Sequence, residues 1–406
     1  MAENFALRQN FRYNLIMVKD RYLTEFVFKD LQEKMVFISG PRQVGKTTLA
    51  YDLMKEKFKN VSYYSWDNRQ DRKDIITSNY NPHAELIVFD EIHKMKNWKS
   101  FVKGEYDKLK NKHKFVVTGS AKLDIYRKGG DSLQGRYHFY RLHPFSLSEV
   151  LERKVSFHLF KDLNFDDRYY RNELEVLLKY GGFPEPLLKQ DETFLRRWHN
   201  EKNERLFRED IRDATLVRDL NSMKLLGDLL PERVSSILSI NSLREDIESS
   251  FKAVKLWIEI FESFYYIFRI YPYASSRYKS MKKESKVYLW DWSEVTDEAK
   301  RFENMIASHL LKFAHFLKDS MGYKTDVYFL RDLEKREIDF VFEVDGKLWF
   351  AVDAKLNDEE VSPNFRYFIE KLRIPYSYQV IKKENVDRFK SGVRIIAASK
   401  FLTALI

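Results

Sequence analysis

Hydrophobic and polar positions divide the chain into stretches of different period. Over the first 30 residues Phe11, Leu15, Val18, Tyr22 and Phe26 recur at three- and four-residue spacing, which predicts helix. From Met35 the pattern changes to short apolar runs ended by turn residues: MVFIS, VSYYSW at 61–66, LIVFD at 86–90 and KFVVTGS at 114–120, with helical segments between them. Such alternation predicts a parallel sheet with crossover helices. Residues 151–225 read as helical and polar-faced, interrupted at 181–186 by the turn GGFPEP. After Pro231 come a short helical stretch near Val234–Leu238 and the capped start Ser242-Leu-Arg-Glu-Asp. A long helix around Ala253–Ile270 then runs into YPYASSRYKSMKKESKVYLWDW, whose paired aromatic runs predict a hairpin. Helix, helix and hairpin together outline a winged helix. A further helix from Phe302 precedes three strand-like runs, DVYFL, EIDFVFEV and KLWFAVDAK. The fold class expected is α/β, in four parts: a parallel-sheet core with an N-terminal helix (1–150), a helical lid (151–225), a winged-helix segment (226–295) and a C-terminal α/β domain (296–406).

At roughly 100–200 residues per domain, a chain of 406 residues is too long for a single small binding module. There is no cysteine, which excludes a disulfide framework, a thiol nucleophile and a thiolate zinc site, and makes a reducing, cytoplasmic setting the expectation. The N-terminal stretch mixes charge with apolar residues and lacks the apolar core of a secretory signal. The most apolar later segment, Leu256–Tyr273, is broken by Glu259, Glu262 and Arg269, so no membrane partner is expected. A net charge of +10 is compatible with a nucleic-acid partner without requiring one.

Candidate chemistry is densest near the start. Gly40-Pro-Arg-Gln-Val-Gly45-Lys46-Thr47 fits G-x-x-x-x-G-K-[ST] and lies between an apolar strand and a helical segment, the context a phosphate-binding loop requires. Gly40, Pro41, Arg42, Gln43, Val44, Gly45, Lys46, Thr47 and Thr48 would form the nucleotide cradle. Lys46 is expected on the β- and γ-phosphates and Thr47 on Mg²⁺. Leu86-Ile-Val-Phe-Asp90-Glu91 ends a buried strand in two carboxylates, Asp90 for the Mg²⁺ shell and Glu91 to polarise an attacking water. Thr118 and Ser120, ending a third strand, are expected to sense the γ-phosphate or that water. Arg136 is either a finger acting on a neighbouring subunit's nucleotide or a surface salt-bridge partner. ATP and Mg²⁺ are the cofactors expected.

GPRQVGKTTL, FDEIHKMKNW, VVTGS, GRYHFYRLHPFSLSEV and GGFPEP closely resemble successive motifs of prokaryotic AAA-type ATPases whose C-terminal half carries a domain of unknown function. The resemblance covers most of the chain and is densest from 35 to 190. It implies a nucleotide-binding core, a lid, a winged helix and a C-terminal fold similar to restriction-endonuclease-like nucleases. In that C-terminal part, Asp339 is followed after thirteen residues by Asp353-Ala354-Lys355. Two acids and a lysine on neighbouring strands can converge, and the arrangement resembles the PD-(D/E)xK nucleases. The residues carried over are Glu303, Asp339 and Asp353 as metal ligands, with Asp339, Asp353 and Lys355 catalytic. Ile338 stands where the full motif has proline.

Lys252 and Lys255, with Arg277, Lys279, Lys282 and Lys283 of the hairpin, are candidate phosphate contacts, and Tyr271, Tyr273 and Tyr278 are either base-stacking or core residues. His309 and His315, six apart, do not share a helical face and form no metal motif. The expected function is ATP hydrolysis coupled to DNA binding or processing. The alternatives are a nucleotide-gated DNA- or protein-binding switch without nuclease activity, and a slow ATPase acting as a clock. A nucleotide-dependent homo-oligomer is the expectation if Arg136 works in trans.

Overall fold

The computed structural model describes residues 20–119, 133–212, 217, 219–274, 284–357 and 360–406. Most of the expected N-terminal helix, Ser120 and the residues Arg277, Tyr278, Lys279, Lys282 and Lys283 of the expected hairpin lie outside the described residues. The chain divides into two compact units, one made of 17–143 with 263–265, the other of 144–262 with 266–406.

In the first unit, Met35–Ser39 (β1), Val61–Ser65 (β2), Leu86–Asp90 (β3), Lys114–Thr118 (β4) and Tyr137–Arg141 (β5) form one sheet in the order β2-β3-β4-β1-β5. Every pairing is parallel, as the alternating pattern predicts. β1 and β3 are buried along their whole length and their sequences are apolar almost throughout, the signature of strands covered on both faces. β2 is half-buried, as befits an edge. Thr24–Asp30 (α1), Arg69–Ile76 (α2) and Trp98–Leu109 (α3) are the described helices beside the helical run Thr48–Glu56. Asn68 caps α2, its side chain accepting from the Gln70 and Asp71 amides. Phe37, Phe89, Phe115 and Trp98 share one core cluster with Val102 and Val117. Strand order matters for the chemistry, because β4 lies between β1 and β3 and brings its own C-terminal end between theirs.

In the second unit, Ile267–Pro272 (β6), Lys286–Leu289 (β7), Thr325–Arg331 (β8), Glu337–Val344 (β9), Lys347–Lys355 (β10), Tyr376–Ile381 (β11), Asp387–Lys390 (β12) and Val393–Ala397 (β13) form a mixed sheet, ordered β12-β13-β11-β10-β9-β8-β6-β7. Its described helices are Leu147–Val150 (α4), Arg171–Tyr180 (α5), Pro184–Lys189 (α6), Glu192–Arg205 (α7), Leu220–Leu229 (α8), Ile240–Asp246 (α9), Phe251–Ser263 (α10), Glu298–Met321 (α11), Pro363–Leu372 (α12) and Ala398–Phe401 (α13). Residues of β9 and β10 feed two clusters: Phe342, Trp349 and Phe350 with Phe313 of α11, and Val341 and Ala351 with Phe365 and Phe368 of α12, the register shift between Leu348 and Phe350 letting two adjacent residues join one cluster.

Three expectations are revised. The helix expected over 253–270 ends at Ser263, because the β-branched and aromatic run IFRIYP pairs as β6. GGFPEP does more than interrupt helix: Gly181 ends α5 at φ 76° and Pro184 starts α6 at the first-turn position where its missing N–H costs nothing. The aromatic strands taken for a wing pair with each other and, through β6 and β8, continue the C-terminal sheet.

Candidate functional site: nucleotide loop and acidic pocket

The loop after β1 closes directly into helix, the Leu49 amide donating to the Gly45 carbonyl at 3.0 Å. Gly40 has φ 148°, and a Cβ there would sit 2.4 Å from the Leu142 carbonyl oxygen, so backbone approach and dihedral both require glycine. Gly45 has φ 98° and Gln43 φ 61°. The Lys46 ammonium is buried inside the loop, donating to the carbonyls of Gly40 at 3.0 Å and Pro41 at 2.7 Å. Arg21, also buried, braces the loop from outside by donating to the carbonyls of Val44 at 2.9 Å and His143 at 2.6 Å.

Asp90 ends β3 directly beside Thr118 at the end of β4. Three hydroxyls converge on its carboxylate. Thr118 donates to Oδ1, while Thr47 at 3.3 Å and Tyr63 at 2.5 Å donate to Oδ2. The Tyr63 hydroxyl is held well above its ordinary range by burial and then by the bond to Asp90.

Glu91 follows in a left-handed conformation, φ 55°, which turns its side chain off the strand direction. Its Oε2 is buried without a hydrogen-bond partner among the described residues, with Lys94 Nζ at 3.5 Å and His93 Nε2 at 3.6 Å. Burial raises the carboxyl above the usual range against the pull of Lys46 and Lys94, with Asp90 adding to the rise.

Lys46, Thr47, Asp90, Glu91 and Thr118 thus lie at the C-terminal edge of one parallel sheet, with the rest of the loop from Gly40 to Thr48. Ser120 lies outside the described residues. Arg136 stands at the start of β5, its guanidinium in a two-pronged pair with Asp107 at 2.9 and 3.1 Å. Sequence reasoning missed Tyr63 and Arg21. Neither carries a motif, since one is an aromatic in an alternating strand and the other a basic residue ahead of the first helix.

The second unit brings Glu303, Asp339, Asp353 and Lys355 together as well. Antiparallel pairing of β9 with β10 sets Phe340 opposite Val352, hence Asp339 opposite Asp353. Burial and the neighbouring Asp339 hold Asp353 well above the ordinary range, whereas for Asp339 the nearby Lys286 and Lys355 outweigh burial and keep it low. Lys355 Nζ lies 3.1 Å from Asp353 Oδ2. Burial and Asp339 push Glu303 up to about 7 against the opposing pull of Lys286.

Lys286, which the sequence reading did not single out, stands among these acids. Its Nζ lies 2.6 Å from Glu337 Oε1 and 3.4 Å from both Glu303 Oε1 and Asp339 Oδ1. Burial opposes its charge, but Glu303, Asp339 and Glu337 together hold it above the usual lysine range. Among the described residues no group of three or more His, Cys, Asp or Glu side chains is placed to hold a metal ion, so Glu303, Asp339 and Asp353 meet without standing as a ligand set. The Lys286 ammonium stands among Glu303, Glu337 and Asp339, and that of Lys355 lies against Asp353. Tyr271 and Tyr273 are partly buried against the cluster that holds Tyr328, the core rather than the stacking alternative.

His309 is structural. It donates from Nδ1 to the Met305 carbonyl at 2.7 Å and accepts at Nε2 from the Leu147 amide at 3.1 Å. Among the described residues no helix is long and apolar enough to cross a membrane.

Residues 32–151 match a family model described as AAA domain, 171–295 one described as Domain of unknown function (DUF8612), and 299–401 one described as Domain of unknown function (DUF4143). The Uncharacterized protein MJ1544 of Methanocaldococcus jannaschii is 26% identical over 361 residues, which cover 81% of this chain and 77% of that protein. Two solved chains of Thermotoga maritima RuvB, one titled as a Holliday junction branch migration motor, align with a TM-score of 0.31 each. They are 15% and 17% identical, covering 64% and 68% of this chain and 93% and 95% of theirs. The chain therefore carries an AAA-type, P-loop ATPase-like domain followed by two regions similar to families without an assigned function.

Proposed function

We propose that this protein binds and hydrolyses ATP and couples its nucleotide state to DNA through the unit that follows the ATPase-like domain. The observation that carries the reading is the meeting of Lys46, Thr47, Asp90, Thr118 and Glu91 at one sheet edge. Loop amides and the following helix N-terminus face the phosphates, a surrounding suited to anionic charge. Lys46 exchanges its Gly40 and Pro41 carbonyls for the β- and γ-phosphate oxygens. Thr47 and Asp90 are the residues that would hold Mg²⁺, which when bound neutralises charge on those oxygens. Tyr63 and Thr118 fix the Asp90 carboxylate for that task. Glu91 orients a water and accepts its proton, and its buried position makes it a stronger base than an exposed carboxylate. Asp107 holds Arg136 within its own chain; in an assembly Arg136 would leave Asp107 for the neighbouring subunit's γ-phosphate.

The DNA part of the reading is supported by the net charge of +10 and by the exposed pair Lys252 and Lys255, three apart on α10. It is tested by ATP turnover with and without duplex DNA, and by mass measurement with ATP for wild type and Arg136→Ala. DNA-stimulated turnover that falls when Lys252 and Lys255 are changed to Glu supports the coupling. Turnover indifferent to DNA leaves an ATPase that answers to another partner. A chain that stays monomeric with ATP, together with normal hydrolysis by Arg136→Ala, removes the trans role.

A further inference from the structure

The acidic pocket of the second unit has the acids of a two-metal site and the wrong occupant for one. Lys286 starts β7, where backbone pairing with Ile270 fixes it in the sheet. Its side chain is 3% exposed, and its three N–H donors have three carboxylates within reach: Glu337, Glu303 and Asp339. Their oxygens have further donors. Arg331 takes the second oxygen of Glu337 at 2.9 Å, the Ala354 amide takes that of Asp339 at 3.0 Å, and the Tyr288 hydroxyl donates to Glu303 Oε1 at 2.7 Å. A magnesium ion demands near-octahedral oxygens at about 2.0–2.1 Å. Here the oxygens are arranged around an ammonium, at longer distances, and each of the three carboxylates also accepts from a further donor.

We propose that Lys286 is a built-in counter-cation that occupies the place of a divalent ion, so that the pocket works as an internally neutralised polar core and takes no catalytic metal. Lys286, Lys355 and Arg331 set three positive charges against the four carboxyls of Glu303, Glu337, Asp339 and Asp353, which leaves at most one excess negative charge to draw a divalent cation in. A buried ion cluster is tolerated when each charge is paired and hydrogen-bonded, as these are. It follows that the unit engages its partner without Mg²⁺-dependent strand cleavage. The inference does not depend on the ATPase reading.

The test is Mn²⁺ titration followed by electron paramagnetic resonance on the nucleotide-free full chain carrying Asp90→Asn, which takes away the carboxylate assigned to Mg²⁺ at the nucleotide site. The chain with Lys286 intact is expected to bind no Mn²⁺ up to about 1 mM, and Lys286→Met to gain one ion per chain, at least about tenfold tighter. If Lys286→Met folds only when Mn²⁺ is supplied, the ion is replacing the ammonium, which supports the proposal too. Two results overturn it. One is a stoichiometric Mn²⁺ in the chain with Lys286 intact that disappears in Asp339→Asn. The other is a Lys286→Met chain that takes up no ion, either folded or during refolding with Mn²⁺. Neither bears on whether the other unit hydrolyses ATP.

Discussion

Asp90 is oriented by three hydroxyls, and of these only Thr47 and Thr118 belong to sequence patterns that announce themselves. Tyr63 does not: an aromatic in VSYYS reads as strand packing, and its reach to Asp90 depends on β2 lying next to β3. Removing a group that orients a metal-binding carboxylate typically costs 10–100-fold in metal affinity. Tyr63→Phe is accordingly expected to raise the Mg²⁺ concentration for half-maximal ATP turnover about tenfold, with turnover at saturating Mg²⁺ little changed. An unaltered Mg²⁺ dependence would assign Tyr63 to packing alone. His309 yields a second prediction at this scale. Burial lowers its pKa from 6.5 to about 4, against the raising effect of its bond to the Met305 carbonyl. Above pH 6.5 both folded and unfolded chains carry the neutral ring. As pH falls from 6.5 toward 4 only the unfolded chain takes up the proton, so stability drops by an amount on the order of 2–3 kcal/mol and levels off below 4. Chemical denaturation of wild type against His309→Asn should show a stability difference that shrinks as pH falls through that window; a difference independent of pH would contradict the buried neutral ring.

Elements whose period was unambiguous are where the sequence places them: β1 to β4 of the first unit, and β8, β9 and β10 of the second. Misreadings fall where two signals compete in one stretch. The run from Ala253 to Ile270 is apolar enough for either helix or strand, and pairing with β7 and β8 decides that its end, from Ile267, is β6. GGFPEP shows turn chemistry but not the close packing behind it. A Cβ on Gly182 would lie 2.5 Å from the Phe145 carbonyl oxygen and 2.7 Å from the Trp292 ring, while the Phe145 amide donates to the Gly182 carbonyl at 2.7 Å. Gly182→Ala must therefore displace backbone as well as a ring, and is expected to destabilise the second unit by about 1–3 kcal/mol in urea unfolding. A loss below about 0.5 kcal/mol would mean that the α5–α6 turn relaxes freely.

For the molecule as a whole, the nucleotide loop was legible because its chemistry is local: a glycine-framed loop and an acid-ended strand keep fixed spacings within about 50 residues, the span of the P-loop pattern and its partner strand. The acidic pocket was half legible. Its acids follow a spacing, but the cation that decides their use comes from residue 286, 53 positions before Asp339, and nothing in the order of residues marks it. The central claim is that the first unit hydrolyses ATP with Glu91 as the base. Its most direct test is nucleotide binding and phosphate release measured side by side for wild type, Lys46→Ala and Glu91→Gln. Wild type is predicted to bind Mg–ATP and release phosphate, Lys46→Ala to lose binding, and Glu91→Gln to bind like wild type while releasing phosphate about 10²–10⁴-fold more slowly. Phosphate release by Glu91→Gln at the wild-type rate, or none from wild type that binds ATP, would contradict it.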